Sequence, residues 1–250
     1  MNDSNDLMFD FDRFETKEIT AESSYKPIGS TFFIAVGGPE RRTGATYSVL
    51  QIAMALAEWG YRVGAFERNA SQLSPNVYHL YAEGESLHGR GGCRFRNIDI
   101  YPYGYDDLKF SAVFSNYDFV ILDFGQLLSG NEFTPYMDQF LRSNLQIVTT
   151  GSSVWDFDRL TAMLGLLYSR DIAKRLEVLL NFADARRFGE FEGYLSAAER
   201  TEYQIRFHHN PFIADVYSTS AETRKTIQKI LNEMAGIKGK SLWKKWRGQK

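Results

Sequence analysis

The stretch Phe32-Phe33-Ile34-Ala35-Val36-Gly37-Gly38-Pro39-Glu40-Arg41-Arg42-Thr43-Gly44-Ala45-Thr46, followed by a helical run to Trp59, decides the fold. An apolar strand enters a glycine-bearing turn, and the turn opens a helix. Such a turn binds phosphate when backbone N–H groups converge on the anion at the positive end of the helix dipole, with glycines letting the backbone wrap closely. Gly37, Gly38 and Gly44 provide that freedom. Thr46 stands where the Ser/Thr of the pattern G-x-x-x-x-G-K-[ST] ligates Mg²⁺. The strict pattern is not met, because Pro39 occupies its first glycine position and Ala45 its lysine.

Working outward, short apolar runs alternate with longer helical stretches. The apolar runs predict strands over 32–36, 62–66, 119–123, 146–150, 177–181 and 204–208. Helices are expected over 46–59, 106–115, 133–143, 155–169 and 221–234. Buried runs flanked by amphipathic helices predict an α/β fold of three layers, a mostly parallel sheet with helices on both faces. Gly60 suits a left-handed helix C-cap before the second strand. Residues 94–101 alternate polar and apolar side chains, the pattern of an edge strand or hairpin.

The domain organisation follows from composition. Residues 1–29 read as an acidic arm, 30–236 as the nucleotide-fold domain, and 237–250 as a basic tail containing Trp243 and Trp246. On a helix Leu242, Trp243 and Trp246 share a face ringed by lysines. That arrangement suits a peripheral membrane contact through 238–250 or an acidic partner, and the alternative is a frayed basic tail.

At 250 residues and 44% hydrophobic, the chain can bury a substantial core. A net charge of −2 argues against nucleic acid as a partner, since no global basic field is present. Cys93 is the only cysteine, so no intrachain disulfide can form. With a polar, acidic N-terminus and no long apolar run, the expected location is cytoplasmic.

A second element strengthens the phosphate reading. Tyr117-Asp118-Phe119-Val120-Ile121-Leu122-Asp123 is an apolar strand ending in a carboxylate, the device by which such folds bring an Asp to magnesium beside the loop. Asp123-Phe124-Gly125 also spells a kinase triplet, but the surrounding kinase motifs are missing. A dinucleotide-binding reading lacks G-x-G-x-x-G and has only Glu67 as a ribose ligand. His208 and His209 have no partner cluster in sequence and suit a strand end or turn. Arg90, Arg94 and Arg96 read as a solvated loop.

With these motifs in place, the chain resembles the MinD/ParA group of P-loop ATPases, including TadZ-like pilus-assembly members, over 31–234. The resemblance rests on Thr43-Gly44-Ala45-Thr46, Tyr61 to Glu67, Tyr117 to Asp123 and Leu179-Leu180-Asn181. It implies ATP and Mg²⁺ as cofactors, held by Gly38, Arg41, Arg42, Thr43, Gly44, Ala45, Thr46 and Tyr47. Thr46 and Asp123 become the metal ligands and Asn181 the reader of the adenine edge. It also implies a homodimer and a protein partner in a localisation or assembly system.

The departures are as specific as the matches. Glu40 replaces the group's signature lysine, Glu67 and Asn69 replace its two aspartates, and Ala45 removes the cation beside the β- and γ-phosphates. Phosphoryl transfer depends almost wholly on positioning and electrostatics, so these losses predict weak or no hydrolysis. No catalytic residue is assigned. Arg41 or Arg42 could supply the missing charge, or both could face solvent. Two functions remain open, a nucleotide-binding protein and a pseudo-ATPase scaffold that binds none.

Overall fold

The computed structural model describes residues 31–68, 84–87, 92–103, 113–170, 172, 175–213, 215 and 218–234. The acidic arm, Asn69, Arg90, most of the helix expected over 106–115, and the basic tail lie outside them.

Eleven strands and six helices are described. The strands are β1 (Phe32–Gly38), β2 (Val63–Glu67), β3 (Glu85–Leu87), β4 (Gly92–Phe95), β5 (Ile98–Tyr101), β6 (Phe119–Gln126), β7 (Leu128–Ser129), β8 (Glu132–Phe133), β9 (Leu145–Thr150), β10 (Leu176–Asn181) and β11 (Ile205–Asn210). The helices are α1 (Ala45–Glu58), α2 (Met137–Arg142), α3 (Val154–Ser169), α4 (Ala185–Glu192), α5 (Ala197–Glu202) and α6 (Ala221–Met234).

Nine strands form one sheet in the order β11-β10-β9-β1-β6-β2-β5-β4-β3. Every pair from β11 to β5 is parallel, and only the β5–β4 and β4–β3 pairs at one edge are antiparallel. The central strands are buried on both faces, as parallel strands covered by helices must be. One apolar cluster holds α1, with Val49, Ile52 and Leu56, against Ile34, Ile121 and Ile147. The other holds α3, with Leu160, Met163 and Leu164, against Val120, Val148 and Val178. The expected three-layer α/β architecture is therefore present.

All six expected strands form, as do the helices at α1, α3 and α6. Gly60 has φ 85 after α1, the left-handed cap its position demands. The helix expected over 133–143 is shorter. Its first residue belongs to a small β7–β8 hairpin, and Gly130 with φ 62 turns that hairpin. The 94–101 segment is a hairpin turned at Arg96 and Asn97, both at positive φ. Its second strand is interior, because β5 also pairs with β2.

A polar network around the buried Asp99 staples this flank. Arg94 donates to Asp99 through Nε at 2.6 Å and Nη2 at 3.0 Å, and the Tyr117 hydroxyl reaches Asp99 at 2.8 Å and Tyr101 at 2.7 Å. Burial, followed by the neighbouring Asp99 charge, pushes the Tyr117 phenol far up, so it stays a neutral donor. Burial and the same carboxylate push the Cys93 thiol up to about 12, which removes its reactivity.

Candidate functional site

The carboxyl ends of β1, β6, β9, β10 and β11 meet around the loop that precedes α1. In open parallel sheets ligands bind at this edge. Two glycines are required here by contact. A Cβ on Gly38 would lie 2.0 Å from Thr43 Oγ1 and 2.7 Å from the Thr149 carbonyl, and one on Gly44 would lie 2.6 Å from Asn181 Nδ2. Gly44 also has φ 86, a conformation that favours glycine.

Gly44 is the N-cap of α1, and no side chain caps that helix or places an acid in its first turn. Its positive end therefore receives no compensation from within the helix. By contrast α3, α4 and α5 are capped by Ser153, Asp184 and Ser196.

Thr46, in the first turn of α1, donates its hydroxyl to Asp123 Oδ2 at 2.6 Å. The Gly125 N–H donates to the other carboxylate oxygen at 2.9 Å. Burial of Asp123 raises its carboxyl above the usual range, and the two hydrogen bonds oppose that rise. β2 and β6 set Glu67 beside Asp123 in register, and Glu67 accepts from the Tyr103 N–H at 3.2 Å.

This donor set fits Mg²⁺. The ion takes hard oxygen ligands, keeps several waters, and is usually held by one or two protein groups plus phosphate oxygens. Among the described residues no cluster of three or more His, Cys, Asp or Glu forms a self-sufficient metal cage. His208 instead lies in β11 with Nε2 2.6 Å from the buried Glu177, and His209 Nε2 meets the Ala183 carbonyl at 2.7 Å.

Asn181 is fully buried and ties β10 to the loop. Its amide nitrogen donates to the Thr43 carbonyl at 2.8 Å and to Ser48 Oγ at 3.0 Å. Its oxygen accepts from Asn210 Nδ2 at 2.7 Å. Thr43 adds a contact at 3.1 Å to Thr149 Oγ1. Tyr47 is buried, with its hydroxyl donating to the Pro211 carbonyl at 3.2 Å and accepting from the Ile213 N–H at 3.1 Å. Burial raises its phenol above the ordinary tyrosine value.

The remaining loop residues divide differently. Arg41 and Arg42 are both exposed, and Arg42 has φ 66. Glu40 forms an ion pair with Arg159 of α3, whose Nη2 also donates to the Gly130 carbonyl at 3.0 Å. Ala45 is only 7% exposed and packs into the apolar cluster under α1, so the position where phosphate loops carry lysine is here part of the core.

Thus Gly38, Thr43, Gly44, Ala45, Thr46, Tyr47, Asp123 and Asn181 gather at the carboxyl end of the sheet, with Arg41 and Arg42 exposed on the same loop. Sequence reading did not single out Thr149, Ser48, Asn210 or Arg159. Asn210 had a signal, since adjacent parallel strands ending in Asn181 and Asn210 place the two amides in register. Arg159 had none.

A parallel sheet with a glycine loop feeding a central helix, and a carboxylate delivered by the adjacent strand, is the architecture of P-loop nucleotide-binding proteins. The chain has the fold seen in solved MinD and ParA-family ATPases. It is similar to MinD in the Aquifex aeolicus MinC:MinD cell division complex, with TM-score 0.57 and 13% identity over 80% of this chain and 96% of that one. Similar too is a Borrelia burgdorferi putative plasmid partition protein bound to AMPPNP, with TM-score 0.57 and 12% identity over 82% and 99% of the two chains. Pyrococcus horikoshii MinD complexed with Mg-ADP gives TM-score 0.55 and 18% identity over 84% and 99%. No protein-family model and no curated protein sequence matches. Among the described residues no helix is long and apolar enough to cross a membrane.

Proposed function

We propose that this protein binds ATP with Mg²⁺ and hydrolyses it slowly or not at all, acting in the localisation or assembly of a protein complex. One observation carries the reading. Thr46 and Asp123, 77 residues apart, are hydrogen-bonded at the uncapped start of α1. The loop N–H groups and Gly44 would hold phosphate, and Thr46 with Asp123 would hold the metal, which when bound supplies positive charge to the phosphate oxygens.

Slow chemistry follows from the residues around that pair. Ala45 brings no cation, and Glu40 sets a carboxylate where the MinD/ParA resemblance expects a lysine. Removing preorganised positive charge from a phosphoryl-transfer site costs the transition state more than the bound ground state. Arg41 and Arg42 are the exposed cations on the loop. The partner role draws on the fold neighbours, one of which is a MinC:MinD complex.

Thermal-shift and calorimetric titration with ATP, ADP and NAD(P), with and without Mg²⁺, tests the proposal. Magnesium-dependent stabilisation by ATP is the expected result, since a ligand of the native state must stabilise it by mass action. Silence with every nucleotide would favour the scaffold reading.

A further inference from the structure

Two aromatic side chains leave the sheet together beside the loop. Phe182 follows Asn181 directly and Phe212 comes two residues after Asn210, and those asparagines are register partners in β10 and β11. Phe182 is 44% exposed and Phe212 64%. Their ring centroids are 6.1 Å apart at an interplanar angle of 62°. Phe182 also lies against the start of α1. Its ring would be 3.0 Å from a Cβ on Gly44 and has its centroid 5.2 Å from that of Tyr47.

The backbone of Phe182 has φ 61, which a bulky residue adopts only where its surroundings over-determine it. This conformation holds an apolar ring partly in water next to the phosphate loop. Hydrophobic burial alone gives no reason for such an arrangement.

Among the described residues, the Asn181 amide and two backbone groups flanking Phe212 are already engaged. An asparagine amide has two N–H donors and one carbonyl oxygen. In Asn181 the nitrogen bonds Thr43 and Ser48, the oxygen accepts from Asn210, and the side chain is fully buried. Next to Phe212, the Pro211 carbonyl and the Ile213 N–H both bond the Tyr47 hydroxyl. The two phenylalanine rings offer stacking surface and carry no hydrogen-bonding group.

We infer that the base of a bound nucleotide is held against the Phe182–Phe212 pair, face-on to one ring and edge-on to the other, and not by the Asn181 amide, so that the site accepts adenine and guanine nucleoside triphosphates about equally. The inference rests on the nucleotide-binding reading above. Every base presents a π face, so stacking tolerates sequence, whereas strong discrimination needs site hydrogen bonds that the wrong base leaves unpaired.

Isothermal titration of the full chain in Mg²⁺ with ATP, GTP and base-free inorganic tripolyphosphate is the test. ATP and GTP should bind within about threefold of each other and at least about tenfold more tightly than tripolyphosphate, the scale of one stacked base. Phe182→Leu and Phe212→Leu keep apolar bulk and should each weaken both nucleotides by roughly tenfold more than they weaken tripolyphosphate. Phe182→Tyr, which keeps the ring, should retain tight binding. An ATP preference above about thirtyfold, or leucine variants with undiminished nucleotide affinity, would overturn the inference. Tripolyphosphate binding as tightly as ATP would sink it and leave the phosphate site standing. If no probe binds, the nucleotide reading fails and takes this inference with it.

Discussion

The two halves of the phosphate loop are built in opposite ways. From Glu40 to Arg42 the chain turns charge outward, with Arg41 and Arg42 exposed and Glu40 paired to a distant helix. From Thr43 to Tyr47 it is largely buried and hydrogen-bonded to β6, β9, β10 and the segment after β11. In the proposed nucleotide site the inner half would set the shape around the phosphates, and the outer half is where charge for chemistry would sit. Shape persists because the loop is part of the core. Charge at the rim is free to change, since exposed pairs contribute little to stability.

That contrast can be broken by substitution, and the inner half should respond most. Gly38→Ala places a methyl against the Thr149 backbone and should cost upward of about 3 kcal/mol, read as a lowered denaturation midpoint with loss of any nucleotide response. Asn181→Ala leaves the Thr43 carbonyl, Ser48 and Asn210 without a shared partner. A loss of about 2–3 kcal/mol is expected, because a buried polar group stripped of its bond costs about 1–3 kcal/mol.

Ala45→Lys tests whether restoring the motif residue restores the motif. It forces an ammonium stem into a packed site, so the ligand-free protein should lose about 1–3 kcal/mol. Calorimetry of the variant then shows whether phosphate recovers that loss. Equal stability of variant and parent would mean that Ala45 is not a core position.

Asp123→Asn separates metal binding from folding. Burial holds the folded carboxyl above its unfolded value, so folding takes up a proton between the two and the parent loses stability as pH rises through that window. The asparagine variant escapes this loss. Its amide nitrogen cannot accept either of the two bonds that the carboxylate oxygens accept, so the variant should start less stable, and its deficit should narrow as pH rises through that window, each kcal/mol being worth about 2–4 °C in a chain of this size. Its magnesium response should vanish.

In the outer half the smallest effect is expected. Arg42→Gly relieves a left-handed backbone costing about 1–2 kcal/mol, partly offset by the greater entropy that glycine loses on folding, for a net gain of about 0.5 kcal/mol. A destabilised variant would show that Arg42 makes a contact the backbone conformation serves.

The major strands, the three long helices and the mostly parallel character of the sheet were legible because buried parallel strands read as unbroken apolar runs and their helices as periodic ones. The short helices α4 and α5 were not, since neither carries an apolar stripe long enough to register. Ser196 with Glu199 does form a capping box that marks the start of α5. The hairpin β7–β8 took the first turn from the helix expected at residue 133, and that helix begins only at Met137.

Local sequence determined which residue types reach the binding edge, because a parallel α/β chain returns every strand to that edge with the same polarity. It did not determine what those residues do on arrival. Asn181 became a buried tie because its partners Thr43 and Ser48 lie 138 and 133 residues away, Glu40 met Arg159 across the fold, and Ala45 faced a core that only packing creates. A hydrogen bond or an ion pair is decided over about 3 Å, a distance that the order of residues along a chain does not specify.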